Sequence, residues 1–599
     1  MEVGKLTQNQ IITTFGPGAI VDARLDSVVG LDIDYWSKDG LDYKGRRIYF
    51  NKLASYLGVK YFTEPKQGND AFPVVIFPDW HICSNVKCNR LFKLKDEHTG
   101  IRENYDAKGP ICPDCNKKAY PSRFIVMCEN GHMDEFPYRE FLHGKHTGCD
   151  GKLRLKANGY TSSLNSLEIQ CDSCKAKRKM GEALLKASFA EYSCAGRHVH
   201  KPGHPEERCD AEMIPSLRGA TNVYFSIVRS ALEIPPWSDK IYQIVEEKLI
   251  RIETIIEDKQ AEAELMETEF NRESAQKLAL KMVHREIGED ILNFDDFIEI
   301  YQKVKEGASQ YIEIKESEYN SILNHASMPK NNQSSFLATE EALPSYLSKY
   351  FSRLIRIEKV REVTALKGFS RGTYPDPEND NFGSIVNLAG SEVGWLPAIR
   401  TSGEGIFVEL NKEQVEVWLQ GYDSQKISNI YDQEYRKFVE KKGWDYTGNK
   451  DIVYVLLHSL AHALIRELAL SCGYSTTELK ERIYYNDKMC GLLVYTGSGD
   501  TEGTLGGLEE MGKANNFTNI LVEALKRLLV CSGDPSCMTT YPGNGELNGA
   551  ACHACSMIPE TACENGNRML DRRTLIPTAE KSIKGYFEEL IDVVCGITI

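Results

Sequence analysis

The 599-residue chain has no nucleoside-triphosphate loop, no low-complexity tract, no repeat of solenoid type and no apolar run free of charge at membrane-spanning length. The amino terminus, MEVGKLTQNQIITTFGPG, has no basic segment followed by an apolar one, so it does not read as a secretory leader. The expectation is a cytoplasmic protein with reduced thiols. The most apolar stretch, DIVYVLLHSLAHALIRELALSCG, is interrupted by His458, His462, Arg466 and Glu467 within the length a bilayer span needs. It reads as a buried helix, and no membrane partner is expected. No G-x4-G-K-S/T loop is found, and the nearest glycine-rich run, Gly503-Thr-Leu-Gly506-Gly507, carries no lysine to reach a β- or γ-phosphate. ATP hydrolysis by this chain alone is therefore not expected. A formal net charge of −14 argues against wrapping DNA over a broad surface.

Against these absences stand 18 cysteines. A chain of this length buries a core without disulfides, so closely spaced cysteines read as metal ligands, with Zn²⁺ the expected ion. Composition divides the chain into a strand-and-loop segment (1–80), a zinc-binding region (81–210), a linker and charged helical arm (211–342) and a mixed C-terminal domain (343–599). The fold class this predicts is α+β and multidomain. Zinc-ribbon-like modules lie in the N-terminal half, followed by a helical insertion and a C-terminal domain with its own cysteine cluster.

The cysteine spacings carry the strongest signal. Cys83 and Cys88, then Cys112 and Cys115, give two knuckles separated by a loop of zinc-ribbon length, and four thiolates close a tetrahedral site. A second set combines the tight pair Cys171 and Cys174 with Cys194 and Cys209. A third is expected from Cys537, Cys552, Cys555 and Cys563, with Cys531 spare or substituting for Cys537. Cys128, His132 and Cys149 lie between the first two sets and lack an obvious fourth ligand. Nearby, His143, Lys145 and Asp150 match H-x-K-x4-D, but phosphodiesterases of that type pair two copies and only one is found. A polar loop beside a knuckle is the simpler reading.

His458, His462 and Arg466 recur at i, i+4 and i+8, a polar ridge on an otherwise apolar helix. Such groups must find partners when buried, and Asp500 and Glu502 are the candidates on the following loop. A structural network is the expectation. The alternative is a phosphodiesterase or nuclease centred on His458, His462 and Asp500, since two histidines at that spacing can hold one metal. Arg568, Arg572 and Arg573, followed by Lys581 and Lys584, form a local basic run, expected to act as a DNA-binding strip braced by the third metal site or, alternatively, as a face salt-bridged to Glu560, Glu564 and Asp571.

Several stretches together resemble one family. HSLAHALIRELALSCGYSTTELKERIY, GLLVYTGSGDTEGTLGGL and AACHACSMIPETACENGNRMLDR are similar to the C-terminal domain of DrmB-type components of DISARM anti-phage systems, a cysteine-rich domain also found behind the motor of certain DNA-repair helicases. GPGAIVD, CENGHMDEFP, LRGATNVYFSIV, LKGFSRG and WLPAIRTSGEGIFVEL extend the likeness over most of the chain, weakening only across 237–340. The resemblance implies a non-motor subunit that works with a DrmA-like helicase on DNA.

Overall fold

The computed structural model describes residues 6–24, 26–36, 46–66, 72–95, 104–106, 109–144, 148–157, 163–328, 334–374, 385–388, 394–421, 424–444, 446, 450–497, 507–543, 545–578 and 583–595. Lys145, Asp500, Glu502, Gly503, Gly506 and Lys581 lie outside the described residues. The fold is α+β and multidomain, as its composition implied.

An antiparallel sheet organises the C-terminal half. Its strands are β1 (Phe225–Glu233), β2 (Leu337–Glu341), β3 (Phe351–Ser370), β4 (Trp395–Leu410), β5 (Leu479–Tyr485) and β6 (Cys490–Thr496). The spatial order is β1-β3-β4-β6-β5, and β2 pairs with β3. Three helices accompany it: α1 (Tyr311–His325), α2 (Ile452–Cys472) and α3 (Ala514–Leu528). In α2 the Asp451 carboxylate accepts the backbone N–H groups of Val453 and Tyr454 at 2.9 and 3.2 Å, and Gly473, at φ 74°, ends the helix. Among the described residues this helix alone is long and apolar enough to cross a membrane, yet 89% of its most apolar window is buried inside the protein. It packs against β5, β6 and α3 as the spine of the largest core.

Sheet pairing cuts across the composition boundaries. Tyr61–Thr63 adds to β4 in parallel, and Phe50, Leu53 and Phe62 share a core with Val363, Ala365 and Trp395. The N-terminal segment thus packs on the C-terminal sheet. Likewise β1 and α1 precede residue 343 but belong to that sheet's layers. Glu318 of α1 holds Arg482 of β5 in a fork, 2.5 and 2.8 Å, with both side chains buried. Only the helices between Lys240 and Lys305 form an arm with its own core, built on Ile252, Ala279, Val283 and Phe297.

The cysteine-rich region holds a six-stranded sheet in the order Ala119–Pro121, Trp80–Cys83, Arg90–Lys93, Leu153–Ala157, Leu167–Cys171, Lys177–Lys179. Alternation gives it two faces. Leu153, Leu155 and Ile169 bury against Trp80, Phe124 and Phe136, while the intervening residues face outward.

Candidate metal centres

Among the described residues, at least five sets of ligand atoms converge to within 4.8 Å of one another. Cys83, Cys88, Cys112 and Cys115 form the first, with Sγ···Sγ separations of 3.4 Å (Cys83 to Cys115) and 3.8 Å (Cys88 to Cys112). Zn–S bonds of about 2.3 Å in a tetrahedron require edges of about 3.8 Å. No described cysteine is in a disulfide. Asn89, Asn116 and Lys175 directly follow Cys88, Cys115 and Cys174 and take positive φ of 50°, 55° and 63°. That conformation, uncommon outside glycine, turns the chain back around the sulfur. The Asn85 N–H donates to Cys83 Sγ at 3.4 Å.

The next two sets are regrouped relative to the spacing-based expectation. Cys171 and Cys174 are joined by His143 and Cys149, whereas Cys194 and Cys209 converge with Cys128 and His132. Cys149 Sγ lies 3.7 Å from Cys171 Sγ, and His143 Nδ1 lies 3.6 Å from Cys174 Sγ. In the other set His132 Nδ1 is 3.4 Å from Cys128 Sγ, and Cys209 Sγ is 4.0 Å from it. His143, the first residue of the H-x-K-x4-D match, thus faces a cysteine cluster. If each set holds one ion, cadmium-113 NMR of the cadmium-substituted chain should show two all-sulfur and two three-sulfur, one-nitrogen environments among the four cysteine-rich sets. All-sulfur resonances throughout would contradict the regrouping.

The fourth set is Cys531, Cys537, Cys552 and Cys555, so Cys531 completes the shell expected of Cys563. Cys531 Sγ is 3.4 Å from Cys552 Sγ, and Cys537 Sγ is 3.7 Å from Cys555 Sγ. In each of three sets one thiol ionises easily and a neighbour resists. The Lys117 N–H holds Cys115 down at about 7, and the adjacent Cys194 thiol holds Cys128 down at about 5. Burial opposes ionisation of Cys552, but the Cys555 N–H and the Cys531 thiol outweigh it and hold it at about 7. Burial pushes Cys83 and Cys537 up, and the Cys128 thiol pushes Cys194 up. Like charges at this spacing cannot all ionise without a cation among them.

Cys563 belongs elsewhere. It meets His458, His462 and Glu481, all four buried, between α2, β5 and the loop beyond Cys555. Glu481 stands where Asp500 was expected. The histidine ridge signalled that a buried partner must exist, but no local spacing pointed to a glutamate on β5. Arg466, at the end of the ridge, donates to the carbonyls of Ala554 and Met557 at 2.7 and 2.9 Å, tying α2 to the fourth set's loop.

The expected arginine strip is mostly interior. Arg572 and Arg573 are 0% and 1% exposed. Arg573 grips Asp571 through Nε and Nη2 at 3.0 and 2.7 Å, and Arg572 pairs with Asp534 and donates to the Leu528 carbonyl. Arg568 is half-buried, its guanidinium near the rings of Tyr374, Phe438 and Trp444. Neither Arg572 nor Arg573 can reach a phosphate backbone from these positions. Asp534, Asp571 and Tyr431 supply the buried partners that a run of basic letters does not display.

Residues 7–225 match a domain of unknown function (DUF8724), and residues 460–556 match the MrfA Zn-binding domain. The DISARM protein DrmB of Bacillus paralicheniformis is 38% identical over 577 residues, which span 95% of this chain and 100% of that one. The crystal structure of the DUF1998 helicase MrfA bound to DNA aligns over 37% of this chain and 22% of that one at 13% identity. Its TM-score of 0.17 is too low to establish a shared fold.

Proposed function

The chain belongs to the DrmB family of DISARM proteins, and from that premise we propose that it is a non-motor, zinc-holding subunit of a phage-restriction complex, docked on a DrmA-like helicase and helping it engage DNA in the cytoplasm. The observation that carries this is the end-to-end similarity to DrmB, supported by the match to a zinc-binding domain over residues 460–556. Zinc is the ion the donor sets suit: thiolates with an occasional imidazole, closed at four ligands, brace a fold and leave no open coordination position for catalysis. A DrmA-like helicase should co-purify with the chain and change its ATPase rate on DNA when the chain is added. A helicase that neither binds the chain nor responds to it would sink this reading.

DNA engagement is supported by the outward face of the six-stranded sheet. Strand pairing sets Arg154, Gln170 and Lys177 in one row and Lys156, Glu168 and Lys179 in the next, with Lys175 at the adjoining knuckle. Lys175, Lys177 and Lys179 are exposed. This is a basic face on an acidic chain. Replacing these three lysines with alanine should weaken DNA binding by the assembled complex at low salt. It should also flatten the dependence of log affinity on log salt by about 0.9 for each phosphate no longer neutralised. An unchanged slope would assign the DNA-binding surface to the partner.

A further inference from the structure

The fifth residue set differs from the others in chemistry and in setting. His458 Nδ1 donates to the Met569 carbonyl at 3.2 Å and His462 Nδ1 to the Ser556 carbonyl at 2.9 Å. A carbonyl can only accept, so each Nδ1 carries a proton, and a ring protonated there alone turns its Nε2 lone pair inward. There His458 Nε2 lies 3.0 Å from Glu481 Oε1 and 3.2 Å from Cys563 Sγ, and His462 Nε2 lies 3.4 Å from Glu481 Oε2. Among the described residues His462 Nε2 and Glu481 Oε2 have no hydrogen-bond partner, although both side chains are buried. With both rings so protonated, lone pairs face lone pairs at the centre of a buried site, an arrangement strongly unfavourable unless something positive sits between them.

The surroundings are those of a ligand shell. Cys563 Sγ accepts the backbone N–H groups of Asn565 and Asn567 at 3.3 and 3.2 Å, the contacts that stabilise a thiolate. Asn567 takes φ 58°, as the residues after the cysteine knuckles do. Glu481 Oε1 accepts the Glu564 N–H at 3.1 Å, and carbonyl acceptors behind each imidazole fix its orientation. One carboxylate, one thiolate and two neutral imidazoles balance a dication, so the filled site is neutral and suited to burial.

We propose that His458, His462, Glu481 and Cys563 hold a first-row divalent cation of the zinc class in a closed N₂OS site. It joins α2, β5 and residues 556–569 independently of the Cys531, Cys537, Cys552 and Cys555 set. N, O and S donors converging at tetrahedral number suit zinc, and four protein ligands leave no position for substrate. The site braces the fold and links to its neighbour, because Ser556, which orients His462, directly follows Cys555. Glu481 and Cys563 also line a cavity of ≈ 550 Å³, walled elsewhere by Tyr374, Tyr454 and Arg482.

The test uses the full chain, with Cys563→Ala and Glu481→Gln compared with the parent for metal content by plasma mass spectrometry and for fold by circular dichroism. Each folded variant should hold one metal equivalent less. The cobalt-substituted parent should show a visible band, absent from both variants, distinct from the thiolate-rich sets. Parental metal content in folded Cys563→Ala overturns the proposal, since Cys563 is then a small apolar core residue. If neither variant folds, zinc-edge absorption of the parent decides. It should require more nitrogen and oxygen scatterers than His132 and His143 supply, and a first shell explained by those two imidazoles and sulfur alone rejects the site.

Discussion

Arg573→Ala is expected to destabilise the folded chain by about 3–5 kcal/mol, the usual cost of breaking a buried ion pair from one side. Asp571 is 0% exposed and would keep only the Tyr431 hydroxyl, at 2.6 Å, and the backbone N–H of residue 573, at 2.9 Å, to offset its charge. Arg573→Lys should recover part of the loss, because an ammonium restores charge but not the two-pronged grip. Denaturant titration of the isolated chain gives the number directly. A variant of parental stability whose complex binds DNA with a flatter salt slope would restore the DNA-strip reading of this run and contradict the burial argument.

A larger effect is expected of Cys112→Ser. Binding free energy at a structural zinc site is folding free energy, about 10–16 kcal/mol in zinc-finger peptides at neutral pH. Loss of one thiolate should therefore remove one zinc equivalent and unfold the ribbon around it. Hydrogen exchange should rise across Trp80–Cys83 and Arg90–Lys93, which carry the knuckle, while β3 and β4 stay protected because their core lies elsewhere. Retention of full zinc content and ribbon protection in the variant would remove Cys112 from any metal site.

What the sequence revealed and what it withheld divide along local and non-local lines. Cys83, Cys88, Cys112 and Cys115 were legible as one set because both pairs are tight and the sequence between them has the length a zinc ribbon uses. The pair Cys171 and Cys174 was equally visible, but its completion by His143 and Cys149 depends on how the Tyr138–His143 helix packs against the Leu167–Cys171 strand. The next cysteines downstream, Cys194 and Cys209, were the wrong ones to join to it. Cys128 and His132 displayed half a site, and the other half, Cys194 and Cys209, lies far downstream. The α+β class followed from composition, while the division near residue 343 missed that β1 and α1 belong to the C-terminal sheet, because strand pairing leaves no compositional mark. The arginine run misled for a related reason: charge is read locally, whereas burial beside Asp534 and Asp571 is a tertiary fact.

If the clustered cysteines act as metal braces, the zinc-to-protein ratio of the intact folded chain, measured by native mass spectrometry, should show it. Thiol reactivity before and after chelation completes the measurement. One zinc is expected for each of the four cysteine-rich sets, a further equivalent at the site of His458, His462, Glu481 and Cys563, and thiols that react only once chelation has released the metal. A folded chain free of metal, with its clustered thiols reacting at once, would contradict it.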